Sequence, residues 1–89
     1  MRLKNWEIGH DLETVRGVIT GSPQYPDGTG VETSRIMAAA YDGEIFLIKT
    51  KHSVYECEER DYVGDPEQLL IFIRTMVNDP GGTTKAIHL

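Results

Sequence analysis

The densest group of ionisable side chains lies in the run Tyr55-Glu56-Cys57-Glu58-Glu59-Arg60-Asp61-Tyr62. Carboxylates this close together can attract a cation, or imitate nucleic-acid phosphates against a basic protein groove. In an extended strand Glu56 and Glu58 share a face, and Glu59 and Asp61 fall in the turn beyond. Tyr55 and Tyr62 bracket them, and tyrosine is enriched at protein interfaces. The expected partner-binding set is therefore Tyr55, Glu56, Glu58, Glu59, Asp61 and Tyr62, and the expected partner is a protein with a basic surface. The spacing lacks the alternating oxygen ligands and central glycine of a calcium loop. A solvated acidic face that keeps the chain soluble is the plain competing explanation.

A second set surrounds the loop Gly21-Ser22-Pro23-Gln24-Tyr25-Pro26-Asp27-Gly28-Thr29-Gly30. The hydroxyls of Thr33 and Ser34 and the guanidinium of Arg35 follow it, and such groups can hold a phosphate or carboxylate. With Tyr25 to stack on a base, the residues Tyr25, Asp27, Thr33, Ser34 and Arg35 would line a nucleotide site. The glycines are not a phosphate-binding fingerprint, since its spacing and its lysine are both missing. Polar residues here also suit the wet face of a strand.

Covalent and metal chemistry find little support. His10, His52 and His88 are scattered, and none stands at ligand spacing from Cys57 or a carboxylate. Cys57 is the sole cysteine, so no internal disulfide forms, and its neighbours Glu56 and Glu58 disfavour a thiolate. The expectation is a non-enzymatic protein with no catalytic residues, no cofactor and no metal.

The elements that position these groups follow from turn signals and periodicity. Glu13 to Thr20 reads as a strand with Val15 and Ile19 on one face and Val18 on the other. Val31 to Tyr41 reads as a strand entering the hairpin signal Asp42-Gly43, and Glu44 to Thr50 as the strand leaving it. Ile45-Phe46-Leu47-Ile48 is apolar on both sides, which predicts an interior strand covered twice. Val54 to Cys57 is a short further strand, and the stretch around Trp6 and Ile8 adds an edge strand. Asp65, Pro66 and Gln68 mark a helix start with a capping box, and Asn78-Asp79-Pro80-Gly81-Gly82 ends the helix. Its apolar face is Leu69, Leu70, Ile73, Met76 and Val77, widened by Ile71 and Phe72. The fold class expected is α+β: four or five short antiparallel strands in a curled sheet or small barrel with one C-terminal helix. Residues 1–82 form the single domain, and 83–89 are a tail that could lie along a sheet edge through Ile87 and Leu89.

Size and charge narrow the function classes. The chain has 89 residues with 39% hydrophobic and 26% charged side chains, ordinary globular usage. Its net charge is −5, from 14 acidic and 9 basic residues. Such a balance argues against direct nucleic-acid or membrane binding, which wants clustered lysine and arginine. The longest apolar run, Leu69 to Ile73, is too short to span a bilayer, and the expected compartment is the cytoplasm. The doubly apolar strand predicts a homo-oligomer, because one helix covers only one side.

The residues Gly17-Val18-Ile19-Thr20-Gly21-Ser22-Pro23, then Pro26-Asp27-Gly28-Thr29, Thr33-Ser34-Arg35-Ile36 and Ser53-Val54-Tyr55 follow a pattern that reads Gly-x-Val-x-Gly-x-Pro, Pro-Asp-Gly-Thr, Thr-Ser and Ser-x-Tyr, with Ile19 in place of its valine. It resembles a group of small uncharacterised proteins of phages, prophages and bacterial genomes over residues 15–56. It departs from that group at Lys51-His52, where a glycine-containing turn is usual, and in the added helix. The resemblance implies a shared strand-loop-strand core and a mobile-element setting. In that setting small acidic domains often act stoichiometrically. The function expected is occupation of a partner, with anti-defence inhibition as one form. The alternative is an oligomeric binder that sequesters a nucleotide or nucleotide-derived signal.

Overall fold

The computed structural model describes residues 1–77. The expected helix end, the domain boundary at residue 82, the tail with Ile87 and Leu89, and His88 lie outside those residues. Six strands are present among the described residues: β1 (Arg2–Ile8), β2 (Val15–Thr20), β3 (Thr29–Glu32), β4 (Ile36–Tyr41), β5 (Ile45–Thr50) and β6 (Val54–Glu58). One α-helix, α1 (Pro66–Phe72), continues into a π-helical turn over Ile73–Val77. The fold is thus α+β, with six strands rather than four or five.

The sheet order is β3-β2-β1-β6-β5-β4. Each half is an antiparallel meander, and the halves meet where β1 pairs with β6 in parallel through Arg2–Glu56 and Leu3–Cys57. The sheet is therefore mixed rather than wholly antiparallel. The stretch around Trp6 and Ile8, expected at an edge, is the central strand. Leu3, Trp6 and Ile8 are all buried although the first two stand three residues apart. A register shift between Lys4 and Glu7, with Asn5 at φ 47°, absorbs the extra residue and returns Trp6 to the core side. Gly17 makes this possible. A Cβ there would stand 3.1 Å from both the Trp6 Cβ and the Lys4 carbonyl oxygen.

The expected strand Val31–Tyr41 is really two strands at opposite edges. Thr33 divides them, because its hydroxyl accepts from the Val15 amide and donates to the Ser34 carbonyl. Only three residues separate β3 from β4. In a flat sheet their strand positions would be about 24 Å apart, whereas three linking residues reach at most about 14 Å. The open sheet must therefore curl. Hydrogen bonds from the Ile36 amide to the Glu13 carbonyl (2.7 Å) and from the Lys51 amide to the Arg35 carbonyl (3.1 Å) hold the crossing in place. The Asp42-Gly43 turn forms as expected, with Gly43 at φ 100° and the Asp42 carboxylate accepting from the Glu44 and Ile45 amides.

One side of the sheet carries the core. Leu3, Trp6, Val15, Ile19, Phe46, Ile48 and Cys57 are buried there, against Leu69, Phe72 and Val77. Trp6 meets Phe46 edge-on at 5.3 Å and Tyr62 at 4.9 Å, while Tyr41 stacks on Phe46 at 4.1 Å. Its Nε1 donates to the Glu58 carbonyl at 2.7 Å. Alternation then places Ile45 and Leu47 on the opposite side, where Leu47 is 36% exposed. The expectation of two dry faces on this strand is corrected: helix α1 covers one, and among the described residues nothing covers the other, the bare face.

Helix α1 starts as its sequence directs, since the Asp65 carboxylate accepts from the Glu67 amide at 2.9 Å and Pro66 takes the first position. Gln68 does not close a capping box. Its Nε2 donates instead to the carbonyls of Gly9 and His10, both at 2.9 Å, tying the helix start to the β1–β2 turn. Phe72 belongs to the buried face, whereas Leu70 and Ile71 are exposed.

Candidate functional site

The two residue sets proposed from sequence are redistributed by the strand alternation. Glu56 and Glu58 project from the bare face of β6, whereas Tyr55 and the buried Cys57 project to the other. Glu59 and Asp61 follow in a single 3-10 turn, and Tyr62 packs on Trp6 while its hydroxyl donates to the Asp65 carbonyl at 2.9 Å. The aromatic anchors and the strand glutamates thus stand on opposite sides of the sheet. Burial holds the Tyr62 hydroxyl above its ordinary pKa.

The acidic cluster is also largely answered from within. Arg2 reaches Glu56 Oε1 and Glu58 Oε1, each at 3.0 Å, and the Arg60 Nε reaches Glu58 Oε2 at 2.9 Å. Glu59 accepts from the Tyr41 hydroxyl. That hydrogen bond, ahead of burial and charge, pushes the Tyr41 hydroxyl up to about 12. No group of three or more metal-ligating side chains gathers among the described residues. Cys57 is buried, and desolvation first, then Glu56, raises its thiol to about 12. A thiol held neutral in this way is a poor nucleophile.

What the bare face does offer is apolar surface. A hollow of about 310 Å³ is lined by Ala40, Tyr41, Asp42, Ile45, Leu47 and Glu56. Val54, 40% exposed, and Met37, 60% exposed, stand on the same half of the sheet, on β6 and β4. Neither Ala40 nor Ile45 has a sequence signal of function. The pointer available was the surplus of apolar residues on β5, which read as a doubly buried strand.

The second set converges in part. Tyr25, Thr33 and Ser34 line a groove of about 500 Å³ together with Tyr55, His52, Ile19 and Val31. Asp27 serves the loop instead, its carboxylate accepting from the Gly21 amide at 3.0 Å. Arg35 turns outward, 73% exposed at its side chain, and pairs with Glu13 at 3.6 Å. The groove therefore unites one tyrosine from each expected set and leaves out the arginine.

Comparison with protein-family models, with curated proteins and with solved structures finds no match. The class that geometry defines is a curled, mixed six-stranded sheet with one helix on one face. Among the described residues no helix is long and apolar enough to cross a membrane.

Proposed function

We propose that the protein is a non-enzymatic binding module that acts by occupying a partner protein with the bare face of β4, β5 and β6. The observation that carries this reading is the hollow between Ala40, Ile45 and Leu47, with carboxylates of Asp42 and Glu56 on its rim. An apolar side chain of a partner fills such a hollow, and a basic group beside it meets the rim carboxylates. Each part contributes differently. Displacing water from the apolar floor supplies affinity, and the rim charges set orientation and association rate.

The pairing of Glu56 and Glu58 with Arg2 weakens the case for an acidic surface acting alone, so the apolar hollow takes the central role here. Cys57 is too deeply buried to serve as a nucleophile, which favours occupation over turnover. The resemblance to phage and prophage proteins adds a setting in which occupation amounts to inhibition, including that of a host defence protein.

The test compares capture of host proteins by the wild type, Leu47→Asp and Glu56→Lys, each checked by circular dichroism for the native fold. A captured protein should be lost with Leu47→Asp and weakened with Glu56→Lys. Capture unchanged by both substitutions would sink the reading. Light scattering on the same samples identifies the occupant as a second copy if a dimer forms and Leu47→Asp dissociates it.

A further inference from the structure

The groove on the core side of the sheet is independent of the bare face, and its chemistry differs. Its floor is apolar, made by Ile19 of β2 and Val31 of β3. Around that floor stand Tyr25, Tyr55, Ser34 and His52, brought together from the β2–β3 loop, from β6, from the β3–β4 link and from the β5–β6 turn. Elements so distant in the chain meet here because the sheet curls. Its volume of about 500 Å³ lies in the range of small-molecule sites.

Polar capacity is plentiful and mostly uncharged. Ser22 accepts from the Gln24 and Tyr25 amides, which fixes the loop that carries Tyr25 while leaving its own hydroxyl hydrogen free to donate. Tyr25 lines the groove and is 48% exposed, so its side chain is accessible to a ligand there. Among the described residues no lysine or arginine lines the groove, and Arg35 pairs with Glu13 instead. Among the described residues Glu32 contributes the one carboxylate of the lining, and it accepts from the Thr14 hydroxyl at 3.0 Å. Met1 also lines the groove, and its α-ammonium and the Glu32 carboxylate offset one another, so a phosphate would lose its hydration without an excess of positive charge to receive it.

We infer that the groove binds a neutral, hydroxyl-bearing ring, the chemistry shared by a free sugar and by the uncharged nucleosides, with Tyr25 stacking on the ring. Hydroxyl groups of such a ligand can both donate and accept, which matches hydroxyls, an imidazole and the Gln24 amide better than any ion does. Stacking on the tyrosine ring fixes its plane. The expected nucleotide is thereby narrowed to its uncharged part.

The test is an amide-resolved NMR titration of the full chain with adenosine, N-acetylglucosamine, maltose and adenosine monophosphate. At least one neutral probe should shift amides in residues 22–25, 33–35 and 52–55 saturably below about 10 mM. Tyr25→Ala should weaken that binding roughly tenfold and leave the melting temperature in place. Response to adenosine but not to the sugars identifies a nucleoside, and the reverse identifies a saccharide. Two results overturn the inference: no saturable shift with any neutral probe, or tighter binding of adenosine monophosphate than of adenosine.

Discussion

Ile48 and Leu47 are neighbours on β5, and truncating each to alanine measures which side of the sheet is covered. Ile48 is fully buried. Ile48→Ala removes three carbons worth about 0.8 kcal/mol each, or about 2.4 kcal/mol of transfer. The cavity left beneath α1 brings the cost to about 3–4 kcal/mol. Leu47→Ala also removes three carbons, but the residue is 36% exposed. Some two-thirds of the transfer term applies and water fills the space, so about 1.5 kcal/mol is expected. A domain of this length has about 4–13 kcal/mol in all, so only the first substitution approaches the unfolding threshold. Trp6 is the single tryptophan and is fully buried, which makes its fluorescence a clean reporter of urea unfolding. The melting temperature should fall by about 15–25 °C for Ile48→Ala and about 5–10 °C for Leu47→Ala. Equal costs, within about 0.5 kcal/mol, would mean that both sides are dry and that the bare-face account is wrong.

Other consequences are as direct. Cys57 should resist alkylation at pH 8 in the native protein and react fully in urea, because desolvation holds its thiol near 12; labelling of the native state at the rate of a free thiol would contradict its burial. The Tyr41 hydroxyl, raised to about 12 by donation to Glu59, favours the folded state below the unfolded value near 10. That contribution is lost as pH rises through 12, and Glu59→Gln should lower the phenol titration followed by absorbance. Gly17→Ala should destabilise by about 1–3 kcal/mol, since its Cβ would press on Trp6 and the Lys4 carbonyl; an unchanged melting temperature would show that the β1 bulge tolerates a side chain.

Period-two segments were legible in the sequence, and irregular ones were not. Val15 to Thr20, Ile45 to Thr50 and Val54 to Glu58 alternate cleanly, and Asp42-Gly43 and Asp65-Pro66 carry their own turn and cap chemistry. By contrast, Leu3, Trp6 and Ile8 break the alternation because β1 bulges at Asn5, so the central strand looked like an edge. The same irregularity recurs between Ile36 and Ala38. Thr33 breaks β3 from β4 with a hydroxyl rather than with glycine or proline, so the run from Val31 to Tyr41 carried no visible stop. The groove was half legible. Tyr25, Thr33 and Ser34 are sequence-near, whereas Tyr55 and His52 join them only through the curl of the sheet. That Arg35 pairs with Glu13 rather than lining the groove could not be read from its residue type.

The parallel seam between β1 and β6 joins residues more than fifty positions apart, while the other ladders among the described residues form between strands consecutive in the chain. Each meander can therefore assemble early from local contacts, and the seam must wait for a long loop to close. Severing the backbone at Ser34-Arg35 would leave two pieces, each holding three consecutive strands. Mixed together, they should recombine through Leu3 against Cys57 and the shared Trp6–Phe46 contact. The molecule is in effect two half-sheets with a mortised joint, and a split-fragment reporter could be built on that joint.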